Sequence, residues 1–183
     1  MAKAVIFFAP GLEECEGLVT VDLLRRAGVD VTIAAVSDKR KVTGSRDITV
    51  KCDALAADVD LKAMDAVILP GGVRGTENLY RSGLVCRAAK QFAEAGKLVA
   101  AICAAPTVLG RIGLLSDRRA TCYPGCEDQL FCAKYEIAET VTDGNIITAS
   151  GLGAAIPFGL AIIAALLGQD EADRIRKKIN YLH

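Results

Sequence analysis

Cys103 stands at the end of an apolar run, Leu98-Val-Ala-Ala-Ile102, and is followed by Ala104-Ala105-Pro106. A buried-strand pattern ahead of it and a helix-opening proline behind it place this thiol in a strand-to-helix turn. Such a turn is so sharp that the residues two before and two after its central residue must be small. Ala101 and Ala105 meet that demand. The turn strains the backbone of the central residue and pushes its side chain outward. It also brings the sulfur to the start of a helix, where free N–H groups and the dipole favour thiolate. Together these features point to nucleophilic thiol chemistry, with Cys103 the most reactive of the seven cysteines at neutral pH.

Two other stretches could serve that thiol. Pro70-Gly71-Gly72 follows the apolar run Ala66–Leu69. Glycine backbones there let N–H groups approach a ligand closely, and with the Ala104 N–H they would form an oxyanion hole. Gly11-Leu-Glu-Glu-Cys-Glu16 carries three carboxylates in four residues, a pattern suited to a helix start. One of them turned toward the cysteine would stay protonated, hydrogen-bond the sulfur and move protons. Residue types alone leave open which of Glu13, Glu14 and Glu16 faces inward. The only imidazole is His183, at the far end of the sequence. A Cys–His triad, with the protease or amidotransferase chemistry it supports, is therefore not expected.

The elements that must position these residues alternate. Strands are expected at Ala4–Ala9, Val31–Val36, Ala66–Leu69, Leu98–Ile102 and Asn145–Ala149. Helices are expected at Glu14–Ala27, Leu84–Ala95, Ala104–Arg111, Ala154–Leu167 and Asp170–Leu182. Asp47–Cys52 alternates like an exposed strand, and Thr142-Asp143-Gly144-Asn145 reads as a hairpin turn. Repeated β-then-α units predict a mainly parallel sheet covered by helices on both faces. Ligands in such folds lie beyond the carboxyl ends of the strands, where the strand order reverses. With the common order 2-1-3-4-5, the loops Pro10–Glu16, Pro70–Gly75 and Cys103–Pro106 converge there.

Composition narrows the partners. The 183 residues suit one domain. Twenty-two basic and twenty-two acidic residues leave no net charge, hence no electrostatic footprint for nucleic acid or an anionic membrane. A small-molecule or protein partner is expected instead. Seven cysteines without paired spacing imply free thiols and a reducing cytoplasm. Cys122, Cys126 and Cys132 are spaced by four and six residues, unlike zinc ligands, so no metal is expected. Gly151 to Gly168 is an uncharged run of transmembrane length. Its Pro157 and four glycines fit a helix buried in an α/β core better.

Gly11-Leu-Glu-Glu-Cys-Glu16, Leu24-Leu-Arg-Arg-Ala-Gly28, Ser45-Arg-Asp47, Leu69-Pro-Gly-Gly72 and Ala100-Ala-Ile-Cys-Ala-Ala-Pro106 together resemble the signatures of the ThiJ/PfpI family. The branch is that of the parkinsonism-associated cysteine protein and its bacterial relatives. The resemblance runs the length of the chain and implies a single ThiJ/PfpI-type domain over residues 1–183. The implied fold is a flavodoxin-like three-layer sandwich with a cysteine elbow like that of class I glutamine amidotransferases, usually a homodimer. It further implies Cys103 as reactive thiol, Glu16 as the carboxyl beside it, and Gly71, Gly72 and Ala104 around an anion pocket. Arg46 would lie close by, joined by Arg26 of the partner subunit. Tyr123 stands where many catalytic relatives carry histidine, and Gly151-Leu152-Gly153 replaces the family's Gly-Pro-Gly turn. The activity implied is cofactor-free hydrolysis of reactive 2-oxoaldehydes such as methylglyoxal, of glyoxalase III or protein deglycase type. Without the histidine it would be weak. The alternative implied is a redox-responsive protective protein, a sensor or chaperone acting through oxidation of Cys103.

Overall fold

The computed structural model describes residues 1–182, so His183 lies outside the described residues. The chain opens with β1 (Lys3–Phe8), α1 (Glu14–Arg26) and β2 (Asp30–Ala35), then the short β3 (Lys41–Thr43), β4 (Thr49–Lys51) and β5 (Ala54–Leu55). β6 (Ala66–Leu69), α2 (Val73–Arg81), α3 (Gly83–Glu94), β7 (Leu98–Ile102) and α4 (Pro106–Arg111) follow. The last third holds β8 (Arg119–Ala120), β9 (Lys134–Tyr135), β10 (Thr140–Asp143), β11 (Ile146–Ala149), α5 (Ala155–Leu167) and α6 (Gln169–Lys178).

One seven-stranded sheet runs in the order β10-β11-β7-β6-β1-β2-β5. β10 joins it antiparallel through the expected hairpin, with Asp143 opposite Ile146 and Gly144 at φ +58°. The long parallel strands β2, β1, β6, β7 and β11 reproduce the 2-1-3-4-5 order. Because strand side chains alternate between faces, the sheet feeds two cores. Ala4, Ile6 and Phe8 of β1 pack with Ile68, Ala100, Ile102 and the apolar faces of α1, α5 and α6. Val5 and Phe7 point the other way, with Val67, Leu69 and Val99, against α2, α3 and α4. The result is a flavodoxin-like three-layer sandwich. α5 is thirteen residues long, and among the described residues no helix is long and apolar enough to cross a membrane.

Four elements differ from the sequence reading, one being the final helix, expected over Asp170–Leu182 but ending at Lys178. Val73–Arg81, expected to begin as loop, is helical from the residue after Gly72. Gly75 hides it from propensity, yet a Cβ there would come within 2.6 Å of the Leu12 Cα, so the close approach of α2 to the 11–12 backbone requires glycine. The helix after Cys103 begins at Pro106, not Ala104, since proline suits the first helical position and the intervening residues form the turn. The Asp47–Cys52 run shortens to β4, which pairs only with β3 as a hairpin outside the main sheet.

Candidate functional site

The three loops expected at the switch point do converge. Cys103 has φ +65°, a left-handed backbone conformation rare for a residue with a side chain. Neighbours on both sides hold it there: its N–H donates to the Ala149 carbonyl and its carbonyl accepts from the Tyr123 N–H, each at 2.8 Å. Ala101 and Ala105 are fully buried, as the tight turn requires. The sulfur accepts from the N–H groups of Gly72 and Ala104 and is hydrogen-bonded to the Glu16 carboxyl.

The first turn of α1 divides its carboxylates among three tasks. Glu13 caps the helix, its carboxylate accepting from the Glu16 N–H at 2.8 Å. Glu16 is buried against Cys103, and its Oε2 accepts from the Gly71 N–H at 3.0 Å. Gly71 thus does not belong to the anion pocket: its N–H is taken by Glu16, and it contributes nothing to the cleft lining. Its lack of a side chain is what matters, since a Cβ would fall 2.5 Å from the Cys103 Cβ.

Glu14 points to the opposite neighbour, the β3–β4 hairpin. Its carboxylate accepts from the Arg46 N–H at 2.8 Å, the Ile48 N–H at 3.3 Å and the Ser45 hydroxyl at 3.4 Å. Burial works to raise its pKa, but these donors outweigh burial and hold it below the ordinary carboxyl value. Glu14 therefore stays charged and fixes the loop that carries Arg46. Replacing Glu14 by alanine leaves two hairpin N–H groups unpaired, a loss of about 1–3 kcal/mol. The expected result is a lower melting temperature and faster amide exchange at Arg46 and Ile48, measured by NMR. Unchanged exchange would show that the hairpin holds itself.

Burial pushes Glu16 up to about 7. Burial also pushes Cys103 up, to about 12, and the charge on Glu16 adds to it; only the Gly72 and Ala104 N–H groups pull in the opposite direction. The helix end expected from the sequence to act on the thiol is not what lies nearest the sulfur. α4 starts three residues beyond the sulfur, and the carboxyl is a nearer charge. The two groups are hydrogen-bonded to each other and titrate as one acid pair, in which ionising either opposes ionising the other. In the form with the proton on Glu16, the sulfur is a thiolate held by two N–H groups.

The pair opens into a cleft of about 790 Å3 whose walls include Arg46, Arg74, Tyr123, Cys126 and Leu152. Two arginines thus contribute to its walls. Arg74 escaped the sequence reading because α2 did. Tyr123 is half-exposed and faces the cleft. Within the chain Arg26 lies elsewhere, paired with Asp22 at 2.6 Å and lining a separate groove with Leu18, Leu23, Ile156 and Ile179.

Comparison with known proteins adds independent findings. The family model described as DJ-1/PfpI family matches residues 2–165. The chain is 38% identical over 178 residues to Protein dj-1beta of Drosophila melanogaster, covering 96% of this chain and 95% of that one. It is 31% identical over 180 residues to the glutathione-independent glyoxalase DJR-1.2 of Caenorhabditis elegans, covering 97% and 95%. The solved structure of oxidized Toxoplasma gondii DJ-1 superposes with a TM-score of 0.96 at 34% identity, covering 100% of both chains.

Proposed function

The chain belongs to the DJ-1/PfpI family, and from that premise we propose that it is a cysteine-dependent, cofactor-free hydrolase of reactive 2-oxoaldehydes, of glyoxalase III or deglycase type. The observation that carries the reading is the buried Glu16 carboxyl hydrogen-bonded to Cys103, which is held in a left-handed turn at the floor of the cleft. The Cys103 thiolate adds to the aldehyde carbon, and the new oxyanion is met by the Gly72 and Ala104 N–H groups and by the proton on Glu16. Glu16 carboxylate then removes the hydrogen from that carbon and returns it to the adjacent one, which turns the adduct into a 2-hydroxy thioester. Water cleaves the thioester, releasing a 2-hydroxy acid and the thiol. A glyoxalase among the relatives supports the substrate class, and Arg46 and Arg74 suit the anionic product.

Tyr123 in place of histidine removes an acid/base group of the kind worth roughly 10²–10⁴-fold, so turnover is expected to be slow. Lactate formation from methylglyoxal should be detectable in the wild type and absent in Cys103→Ser. Equal rates in both would end the hydrolase reading.

The oxidized state of the Toxoplasma structure favours a second reading, a redox-responsive protective protein acting through Cys103. Seven free cysteines suit a reducing cytoplasm for either role. We also place the working form as a homodimer, with Arg26 of the partner subunit near the cleft. Leu18 and Ile48 are exposed apolar residues that such an interface would cover. Sedimentation at micromolar concentration should give twice the 19.3 kDa chain mass. A monomer would remove that arginine from the site.

A further inference from the structure

Cys103 shares its cleft with a second thiol. Cys126, half-buried, lines the same walls and is carried there by the turn Tyr123-Pro124-Gly125-Cys126. The turn closes through the Cys126 N–H, which donates to the Tyr123 carbonyl at 3.0 Å. Pro124 at its second position and Gly125 at φ +94° at its third match a type II turn. Its first residue is tied to the nucleophile, because the Tyr123 N–H donates to the Cys103 carbonyl at 2.8 Å. The ends of such a turn lie within about 7 Å, so one turn's width separates Cys126 from a residue bonded to Cys103. A disulfide needs Cα atoms about 4.4–6.8 Å apart. Tyr123, Pro124 and Gly125 are exposed and a Cβ on Gly125 would meet nothing within 4 Å, so closing any remaining gap meets no packed side chain at Gly125 and costs the exposed bonds of the Gly125 N–H to the Glu127 carboxylate.

We propose that Cys126 is the resolving thiol of Cys103, capturing the oxidised nucleophile as a Cys103–Cys126 disulfide. The proposal rests on the reactive-thiol reading above and not on the aldehyde substrate. The oxidant is a hydroperoxide. Cys103 thiolate attacks its terminal oxygen, the O–O bond breaks, an alcohol (or water) leaves, and the sulfur becomes a sulfenic acid. Cys126 sulfur then attacks the Cys103 sulfur. The S–O bond breaks, hydroxide leaves as water with the Cys126 proton, and the S–S bond forms. In sum, two thiols and one hydroperoxide give one disulfide, one alcohol and one water. Roles divide by surroundings: Cys103 has Glu16 and two N–H donors around it, whereas Cys126 has only the charge of Glu127 nearby. Cys122 lies beneath the turn, fully buried, its thiol donating to the Tyr123 carbonyl at 3.4 Å. It cannot reach the cleft without unpacking the core below it.

The bridge would compete with further oxidation of Cys103, since a sulfenic acid consumed as disulfide does not become sulfinate. The experiment treats wild type, Cys126→Ser, Cys122→Ser and Cys132→Ser with hydrogen peroxide, blocks free thiols, and maps non-reduced peptides by mass spectrometry. A Cys103–Cys126 peptide pair is expected in wild type, Cys122→Ser and Cys132→Ser. Cys126→Ser should show none, with several-fold more Cys103 sulfinate. Dithiothreitol should restore Cys103 alkylation in treated wild type and not in treated Cys126→Ser. A bridge between Cys122 and Cys126, or equal sulfinate with and without Cys126, would overturn the proposal. Methylglyoxal turnover of the untreated proteins separates the two readings. If Cys103 forms sulfinate while Cys126 stays free, only the resolving role falls. If Cys103 reacts with neither peroxide nor aldehyde, both fall.

Discussion

Replacing Glu16 by leucine should move the pH midpoint of Cys103 alkylation upward. In the wild type burial raises the Glu16 carboxyl to about 7, so the sulfur can ionise with a proton left on the carboxyl beside it. Leucine removes that resting place. The sulfur keeps its burial and the two N–H donors, and burial alone raises a thiol. Each pH unit of upward shift slows alkylation at neutral pH about 10-fold. Glutamine keeps a donor beside the sulfur and should fall between the two. A downward shift in the leucine variant would mean that the sulfur owns the proton and that Glu16 only repels its charge.

The same carboxyl has a stability signature. Its folded value of about 7 exceeds the ordinary 4.5, so between those values the unfolded chain binds fewer protons. The stabilisation is complete below about pH 4.5 and is lost as the pH rises through 7. Glu16→Gln carries no charge to bury. It should match the wild type at pH 4 and exceed it by about 3 kcal/mol at pH 8, read from urea unfolding.

Gly71→Ala should be the most damaging change that leaves both reacting residues in place. The added methyl would lie 2.5 Å from the Cys103 Cβ, 2.6 Å from Glu16 Oε2 and 2.8 Å from the Ile102 carbonyl oxygen. The carbonyl is fixed in β7, so the carboxyl and the thiol must part. Misplacement by about 1 Å costs on the order of 10²-fold in rate, and the overpacking costs about 1–3 kcal/mol. The expected result is methylglyoxal turnover at least 100-fold down in a protein that still melts cooperatively. A folded variant with wild-type turnover would show that the Glu16–Cys103 contact is not required.

Much of this site was legible in the residues, and the exceptions have physical reasons. β6 and β7 match their apolar runs residue for residue, because strands buried on both faces announce themselves as unbroken hydrophobic sequence. The elbow was legible through Ala101 and Ala105, which no other local structure demands. Glycines misled twice. Gly75 concealed α2, and Gly71 looked like a ligand-facing N–H although its neighbour in space is Glu16. Such roles depend on what crosses the site from distant sequence, here 55 residues away. The protonation of Cys103 was unreadable for the same reason. A helix end is visible in sequence, while a carboxyl from another element is not.

The division of the first turn of α1 among cap, hairpin and nucleophile bears on which length changes the chain can tolerate. Glu14 and Glu16 sit two residues apart, about 200° around the helix, and each is committed to a different neighbour. Inserting or deleting one residue between Glu13 and Glu16 would rotate everything beyond it by about 100°. Glu16 would swing off the sulfur while the apolar face formed by Val21, Leu23 and Leu24 lost its phase with α5 and the sheet. Point substitutions here can be graded in their effect, but an indel cannot. Length variation in this protein belongs in an exposed segment such as 38–40, and the first turn of α1 should be closed to it.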